Sequence, residues 1–255
     1  MLLVVDIGNT NLVLGVYREN ELVRHWRLAT RVDQTGDEYG ILIANLFHMA
    51  DIHLEKISGV IIASVVPPVQ SAIVRALRRY LDIPPLIVGP GLKTSMPIRY
   101  DNPREVGADR IVNGVAAYDL VGDAVVVVDF GTATTFDLIG PDGDYLGGAI
   151  APGLGLSMNA LFEKTAKLPR IELVRPKKVV GRDTVASMQS GLFWGYVGLV
   201  DGLIGRIVTE SDFDSVKVVA TGGLARLIAS ESGKIEIIDE FLTLNGLRLL
   251  YERNI

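Results

Sequence analysis

The chain spells nearly the same nine residues twice. Residues 3–11 read LVVDIGNTN and residues 126–134 read VVVDFGTAT. Each is an aliphatic run followed by Asp, an apolar residue, Gly and a cluster of Asn or Thr. Short continuous aliphatic runs are buried strands, and Gly with small polar neighbours makes a turn. Asp6 and Asp129 stand 123 positions apart in a chain of 255 residues, so each copy opens about half of it. The repeat predicts two α/β lobes facing each other across a cleft. Each lobe would offer that cleft one carboxylate and one phosphate-sized turn.

The pattern around each copy extends the repeat. Residues 2–6 read as a buried strand, then 12–20 and 21–30 as a hairpin turning at Glu19-Asn20. A helix is predicted over 37–50, and GVIIASVVPP (59–68) reads as a buried strand ended by its prolines. An amphipathic helix over 69–81 and a short strand at 84–88 follow. The stretch 92–105 is loop-like, and a helix runs from about Asp109 to Leu120. AVVVVDF (124–130) restarts the pattern. A second hairpin spans 134–153, turning at Asp142-Gly143 and followed by a Gly-rich loop. Helices at 155–166 and 184–210, a strand at 217–223 and a helix from about Glu240 complete the chain. Both halves thus set a three-strand meander before helix–strand alternation, which predicts mixed sheets. The lobes are drawn at 1–118 and 119–255.

Composition narrows the chemistry. Nearly half the residues are apolar, and the net charge is −5. No basic face of the kind nucleic acid requires is evident. There is no cysteine, so disulfides, thiolate zinc sites and thiol nucleophiles are excluded, in keeping with a reducing, cytoplasmic setting. His25, His48 and His53 show no metal-ligand spacing. The start of the chain does not resemble a signal peptide. No apolar run is read as approaching the roughly 18 residues that span a bilayer, so no membrane partner is expected.

The turn Asp6 to Asn11 can hold a phosphate oxygen. Gly8 lets the backbone approach, and Asn9, Thr10 and Asn11 add short donors. Asp6 would repel phosphate directly, but it makes sense if a hydrated Mg²⁺ lies between them. The second turn, Asp129 to Thr135, offers hydroxyls instead of amides, with a carboxylate that could hold a cation. Ala220-Thr221-Gly222-Gly223 ends a further strand with room for a flat ring or a sugar. Each of these also reads, taken alone, as an ordinary capped strand end. No G-x-x-x-x-G-K-[ST] occurs, which disfavours a P-loop kinase. Between the copies, Gly107-Ala108-Asp109-Arg110 sits where a helix starts. Asp109 could take a proton from a substrate hydroxyl, and the Arg110 fork could bind a carboxylate or phosphate. The plainer reading is a capping Asp beside a solvent-facing Arg.

The set resembles the actin-like ATPase superfamily, with its acetate and sugar kinases and duplicated ribonuclease H-like lobes. DIGNTN (6–11), YDNP (100–103), GADR (107–110), DFGTATT (129–135), GGAIAPG (147–153) and ATGG (220–223) together resemble the type III pantothenate kinase family. They run in the family's order across nearly the whole chain. The resemblance implies ATP-dependent phosphorylation of the primary hydroxyl of pantothenate, the first step of coenzyme A synthesis. It implies Asp109 as general base, and Tyr100, Gly107, Ala108, Asp109, Arg110 and Thr184 as the pantothenate contacts. Asp6, Ile7, Gly8, Asn9, Thr10, Asn11, Leu12, Val13 and Thr132 would contact ATP. Asp6 would hold Mg²⁺ through water, and Asp129 a monovalent cation, potassium or ammonium. It also implies a homodimer. Small residues at helical spacing among apolar ones, Gly191, Gly195, Gly198, Gly202 and Gly205, allow close helix packing, either within the chain or as a seam between two copies. Another kinase or phosphatase of the superfamily would change Tyr100 and Gly107 to Arg110. A non-catalytic regulator or accessory protein would be expected to lose Asp6, Asp109 or Asp129, and all three are present. A filament-forming relative would need a longer chain.

Overall fold

The computed structural model describes all of residues 1–255. In chain order the elements are β1 (Leu2–Ile7), β2 (Asn11–Arg18), β3 (Glu21–Ala29), α1 (Gly36–Met49), β4 (Gly59–Ser64), α2 (Pro67–Tyr80) and β5 (Leu86–Ile87). Then come α3 (Ala108–Val121), β6 (Val125–Phe130), β7 (Ala133–Ile139), β8 (Tyr145–Pro152), α4 (Leu154–Glu163) and α5 (Thr184–Ser211). The chain ends with β9 (Lys217–Gly222), α6 (Ala225–Ala229), β10 (Ile237–Ile238) and α7 (Leu242–Glu252).

The repeat becomes two five-stranded sheets of one topology, β3-β2-β1-β4-β5 and β8-β7-β6-β9-β10. In each, the motif strand pairs antiparallel with its hairpin partner and parallel with the strand that returns after a helix. Asp6 stands level with Val13 and Ala63, and Asp129 level with Thr135 and Thr221. The two carboxylates occupy the same place in two copies of one sheet.

The chain divides into two compact units. One comprises Met1–Met96, Asp101–Ala116 and Leu242–Ile255; the other comprises Pro97–Tyr100 and Ala117–Phe241. This differs from a single cut near 118 chiefly in α7, which joins the first unit although it is last in sequence. The reason is packing. Alternate residues of β1 face opposite sides of the sheet. Leu3, Val5 and Ile7 join Tyr39, Ile43 and Phe47 of α1 and Ile73 and Leu77 of α2 in one core. The other face is covered by α7, which packs on β1, β2 and β4 and buries Leu242, Leu244, Leu247 and Leu250. A Cβ on Gly15 would stand 3.0 Å from Leu244 Cδ1, so the glycine lets the helix pack closely on β2.

Local chemistry explains the boundaries. Thr35 and Glu38 form a reciprocal capping box at the start of α1. Hydrogen bonding from the Thr35 backbone N–H and hydroxyl holds the Glu38 carboxyl below the usual carboxylate range. The hairpin turn falls at Glu19, whose φ is +54°. Pro67 and Pro68 do not end β4, which stops at Ser64. They are the first two residues of α2, where the missing N–H costs nothing. Gly147 and Gly148 lie within β8, the second strand of the expected hairpin. The short elements α6 and β10 have no clear sequence signature.

In the second unit, Val126, Val128 and Phe130 of β6 pack with Phe193, Tyr196, Val197, Val200 and Ile204 of α5. This 28-residue helix is long and apolar enough to cross a membrane, which the sequence reading did not allow for. Its inward stripe packs on β6, β7, α4 and α6.

One close approach is diagnostic of the first unit. A Cβ on Gly246 of α7 would lie 2.3 Å from the Val112 carbonyl oxygen of α3. Glycine to alanine inside a helix ordinarily stabilises by about 1 kcal/mol. Here Gly246→Ala should instead destabilise by about 1–3 kcal/mol, because the backbone it meets cannot rotate away. Urea unfolding reads the difference, and a gain in stability would contradict this packing.

Candidate functional site

In the first unit, β1 runs out into the turn at Gly8, Asn9 and Thr10 before β2 begins. Gly8 N–H donates to Asn11 O at 2.9 Å, and a Cβ on Gly8 would stand 3.1 Å from that oxygen. The Thr30 hydroxyl donates to Gly8 O at 2.7 Å, and Thr30 N–H donates to Thr10 O at 2.9 Å. The turn is therefore tied to the end of β3 before any ligand arrives. Asn9 and Thr10 are exposed, while Asp6, Gly8 and Asn11 are half-buried. Ile7 and Leu12 are completely buried, so these two positions can offer a ligand only backbone. Val13 is half-buried opposite Asp6. Thr30 carries no motif and was missed from sequence.

The same unit holds Gly107 to Arg110. Gly107 precedes α3, and Ala108 and Asp109 open its first turn. Arg110 N–H donates to Asp109 Oδ1 at 2.8 Å. A Cβ on Gly107 would be 2.5 Å from that same oxygen. Gly107 is thus the residue that lets the Asp109 carboxylate fold back over the helix start. Arg110 is 7% exposed, which corrects the plainer reading of a solvent-facing arginine. A buried guanidinium with its planar fork is a costly feature unless it has an anionic partner.

In the second unit, the turn after β6 repeats the first with different polar groups. Gly131 N–H donates to Ala133 O at 3.1 Å, and Gly153 N–H donates to Thr132 O at 3.1 Å. A Cβ on Gly153 would lie 2.2 Å from that Thr132 oxygen. The hydroxyls divide. Thr132 is exposed. Thr134 is 1% exposed and bonds the Tyr196 hydroxyl. Thr135 donates to Asp137 Oδ2 at 3.0 Å. Of the three, Thr132 alone is exposed, while Thr134 and Thr135 brace the turn. Burial pushes the Tyr196 phenol above its ordinary range, opposed by its bond to Thr134, so this brace stays protonated.

Asp129 is half-buried at the end of β6. The ATGG segment lies beside it: Gly222 has φ +92°, and a Cβ there would be 2.7 Å from Asp129 Oδ1. Only glycine tolerates both that conformation and that approach. Asp137, another residue the sequence reading missed, is fully buried and accepts a 2.7 Å hydrogen bond from the Tyr145 hydroxyl. Its signal was its place on the same strand face as Thr135, two residues earlier.

Tyr100 belongs to this unit. Tyr145 N–H donates to Pro97 O and Arg99 N–H to Tyr145 O, both at 2.8 Å. That pairing sets the Tyr100 ring edge-on to Tyr145, with centroids 6.2 Å apart. Thr184, at the exposed start of α5, lines a pocket of about 820 Å³ with Arg182, Asp183, Ser187, Met188 and Leu192. Asp183 caps the helix, accepting from Ala186 N–H at 2.8 Å.

No three acidic or histidine side chains gather to hold a metal unaided. A single carboxylate at a turn fits a cation that keeps most of its waters or takes its remaining ligands from a nucleotide.

The comparisons agree on one family. The family model described as type III pantothenate kinase matches residues 2–206. A type III pantothenate kinase from Geobacter sulfurreducens is 57% identical over 254 residues, covering 100% of this chain and 99% of its own length. One from Myxococcus xanthus is also 57% identical, with the same coverage. Among solved structures, an inorganic polyphosphate/ATP-glucomannokinase from Arthrobacter sp. strain KM superposes with a TM-score of 0.52 at 14% identity, covering 99% of this chain and 97% of that one. That likeness concerns the fold alone, an α/β architecture with two mixed sheets. Matched over most of its length by the family model and end to end by these relatives, the chain belongs to the type III pantothenate kinase family.

Proposed function

We propose that the protein transfers the γ-phosphoryl group of ATP to the primary hydroxyl of pantothenate, giving 4'-phosphopantothenate and ADP, the first step of coenzyme A synthesis. Beyond family membership, one observation carries the reading. Gly107 has no room for a side chain because the Asp109 carboxylate lies over it, and the next residue is a buried arginine. A carboxylate held at a helix start and followed in sequence by a buried arginine suits an acceptor that carries both a hydroxyl and a carboxylate.

In this reading Asp109 accepts the proton of the pantothenate hydroxyl as its oxygen bonds to the γ-phosphorus and the bridging bond to ADP breaks. Arg110 binds the pantothenate carboxylate. Tyr100, Gly107, Ala108 and Thr184 complete the acceptor contacts. The backbone N–H groups and side chains of Asp6 to Val13 hold the phosphates, and Thr132 makes a phosphate contact of its own. Asp6 anchors Mg²⁺ through water and Asp129 anchors potassium or ammonium; when bound, these cations neutralise charge on the phosphoryl oxygens. The protein is proposed to work in the cytoplasm as a homodimer. Gly191, Gly195, Gly198, Gly202 and Gly205 have open space where a Cβ would be, and they recur at helical spacing along one helix. That leaves a shallow seam suited to the same helix of a second copy.

Asp109→Asn should fold with unchanged thermal stability and bind ATP as before, while pantothenate turnover falls about 100-fold or more. Turnover within a few-fold of the parent would remove the base from Asp109. Replacing potassium with sodium should lower kcat by roughly tenfold, about 1.4 kcal/mol of barrier. In Asp129→Asn the residual rate should no longer distinguish the two salts. A parent enzyme indifferent to the exchange would remove the cation from Asp129.

A further inference from the structure

Twenty residues, 88–107, separate β5 from α3, and their regular structure is confined to a short 3₁₀ turn at Pro103–Glu105 and a single parallel bridge of Ile98 to Tyr145. A connection of that length without its own secondary structure is uncommon in a compact unit and is usually functional. That one bridge fixes the backbone only around Pro97–Arg99, and ordering each remaining residue costs about 1–2 kcal/mol. What fixes it must come from outside.

The first unit supplies that from α7. At the C-terminal end of this helix, Lys93 N–H donates to Asn254 Oδ1 at 3.0 Å. Asn254 Nδ2 donates back to Lys93 O at 2.9 Å and also to Leu250 O at 2.8 Å. The amide therefore pairs with Lys93 as a strand neighbour would, while being tied to its own helix. Beside it, Arg253 Nη1 donates to Thr94 O at 2.9 Å. At the other end of α7, the Thr243 hydroxyl donates to Asn113 Oδ1 at 2.7 Å. Asn113 is 1% exposed and lies one helical turn after Asp109, on the same face of α3. In the middle, Gly246 lets α7 touch the Val112 backbone. The helix is itself immobilised: Leu247 and Leu250 are fully buried, and the Tyr251 side chain fills the place a Cβ on Gly59 would take.

We propose that α7 is a splint for the acceptor-binding segment, with Asn254 and Thr243 as positioning residues at its two ends. One grip sets where the chain leaves Lys93 toward Tyr100; the other sets the start of α3 that carries Asp109 and Arg110. This rests on the assignment of Tyr100 and Gly107 to Arg110 as pantothenate contacts. It predicts an effect confined to the acceptor, since the phosphate turn at Asp6 to Asn11 is tied instead to Thr30.

The test compares Asn254→Ala and Thr243→Val with Glu252→Ala, which alters the same helix without touching either grip. Each variant is assayed for pantothenate KM, ATP KM, kcat and thermal stability. Hydrogen exchange is followed over residues 92–107 in the same samples. Asn254→Ala should raise pantothenate KM about tenfold, the loss of two to three hydrogen bonds, with ATP KM within about twofold. Exchange over 92–107 should quicken while β1 keeps its protection. Thr243→Val should show the same split, and Glu252→Ala should resemble the parent. An unchanged pantothenate KM with unchanged exchange would overturn the proposal. So would a parallel rise in both KM values, which is what a general loosening of the fold produces. Should the parent itself fail to phosphorylate pantothenate, the functional assignment falls, and hydrogen exchange alone then decides the splint. Quickened exchange over 92–107 in Asn254→Ala would support it, and unaltered exchange would refute it.

Discussion

The fold depends on where a central strand ends. In each sheet the motif strand lies between an antiparallel hairpin partner and a parallel crossover strand. The connections leave in different directions at that point, so its carboxyl end opens onto the place where ligands gather in sheets of this kind. The strand body is wholly aliphatic and buried, so its end cannot shift without dragging the core with it. Asp6 and Asp129 are held by that rigidity. The turns that follow are braced by hydrogen bonds to Thr30 in one case and through Gly153 and Tyr196 in the other. Duplication explains the shared geometry, and substitution of amides by hydroxyls explains the difference in what each turn can hold.

Glycine serves the chemistry by absence. At Gly107 and Gly222 the space a Cβ would need is taken by the carboxylates of Asp109 and Asp129. Both acids therefore lie against glycine backbone, which limits the orientations they can take. Orientation of this sort lowers the entropy cost of reaching a reactive geometry. At Gly222, where φ is positive and the Phe130 backbone also lies 2.7 Å from the Cβ position, even a methyl group would be strained.

Much of this was legible in the sequence because the aliphatic runs are long and the Asp-x-Gly turns are local. The meander, the crossover helices and the two equivalent acids followed from pattern alone. Three things did not. An amphipathic helix at the end of the chain announces an apolar face but not which sheet will receive it; α7 goes to the first, over Gly15, because that is where a close approach is possible. The paired prolines at 67 and 68 mark a break, and a break is equally the end of a strand or the first turn of a helix. Arg110 follows a capping-type residue and looks solvated, yet the structure buries it. Burial of a charged side chain is a property of tertiary packing that no local spacing encodes. The division of labour among Thr132, Thr134 and Thr135 is of the same kind, since strand alternation is interrupted at the turn.

The segment carrying Asp109 and Arg110 is proposed to receive a carboxylate-bearing alcohol. The direct measurement is ADP release with purified protein, ATP, Mg²⁺ and potassium, across pantothenate, its alcohol analogue lacking the carboxylate, and a panel of hexoses. The account predicts rapid turnover with pantothenate, turnover reduced at least about tenfold with the analogue as the Arg110 contact is lost, and none with sugars. Turnover on a hexose with pantothenate inert would contradict it.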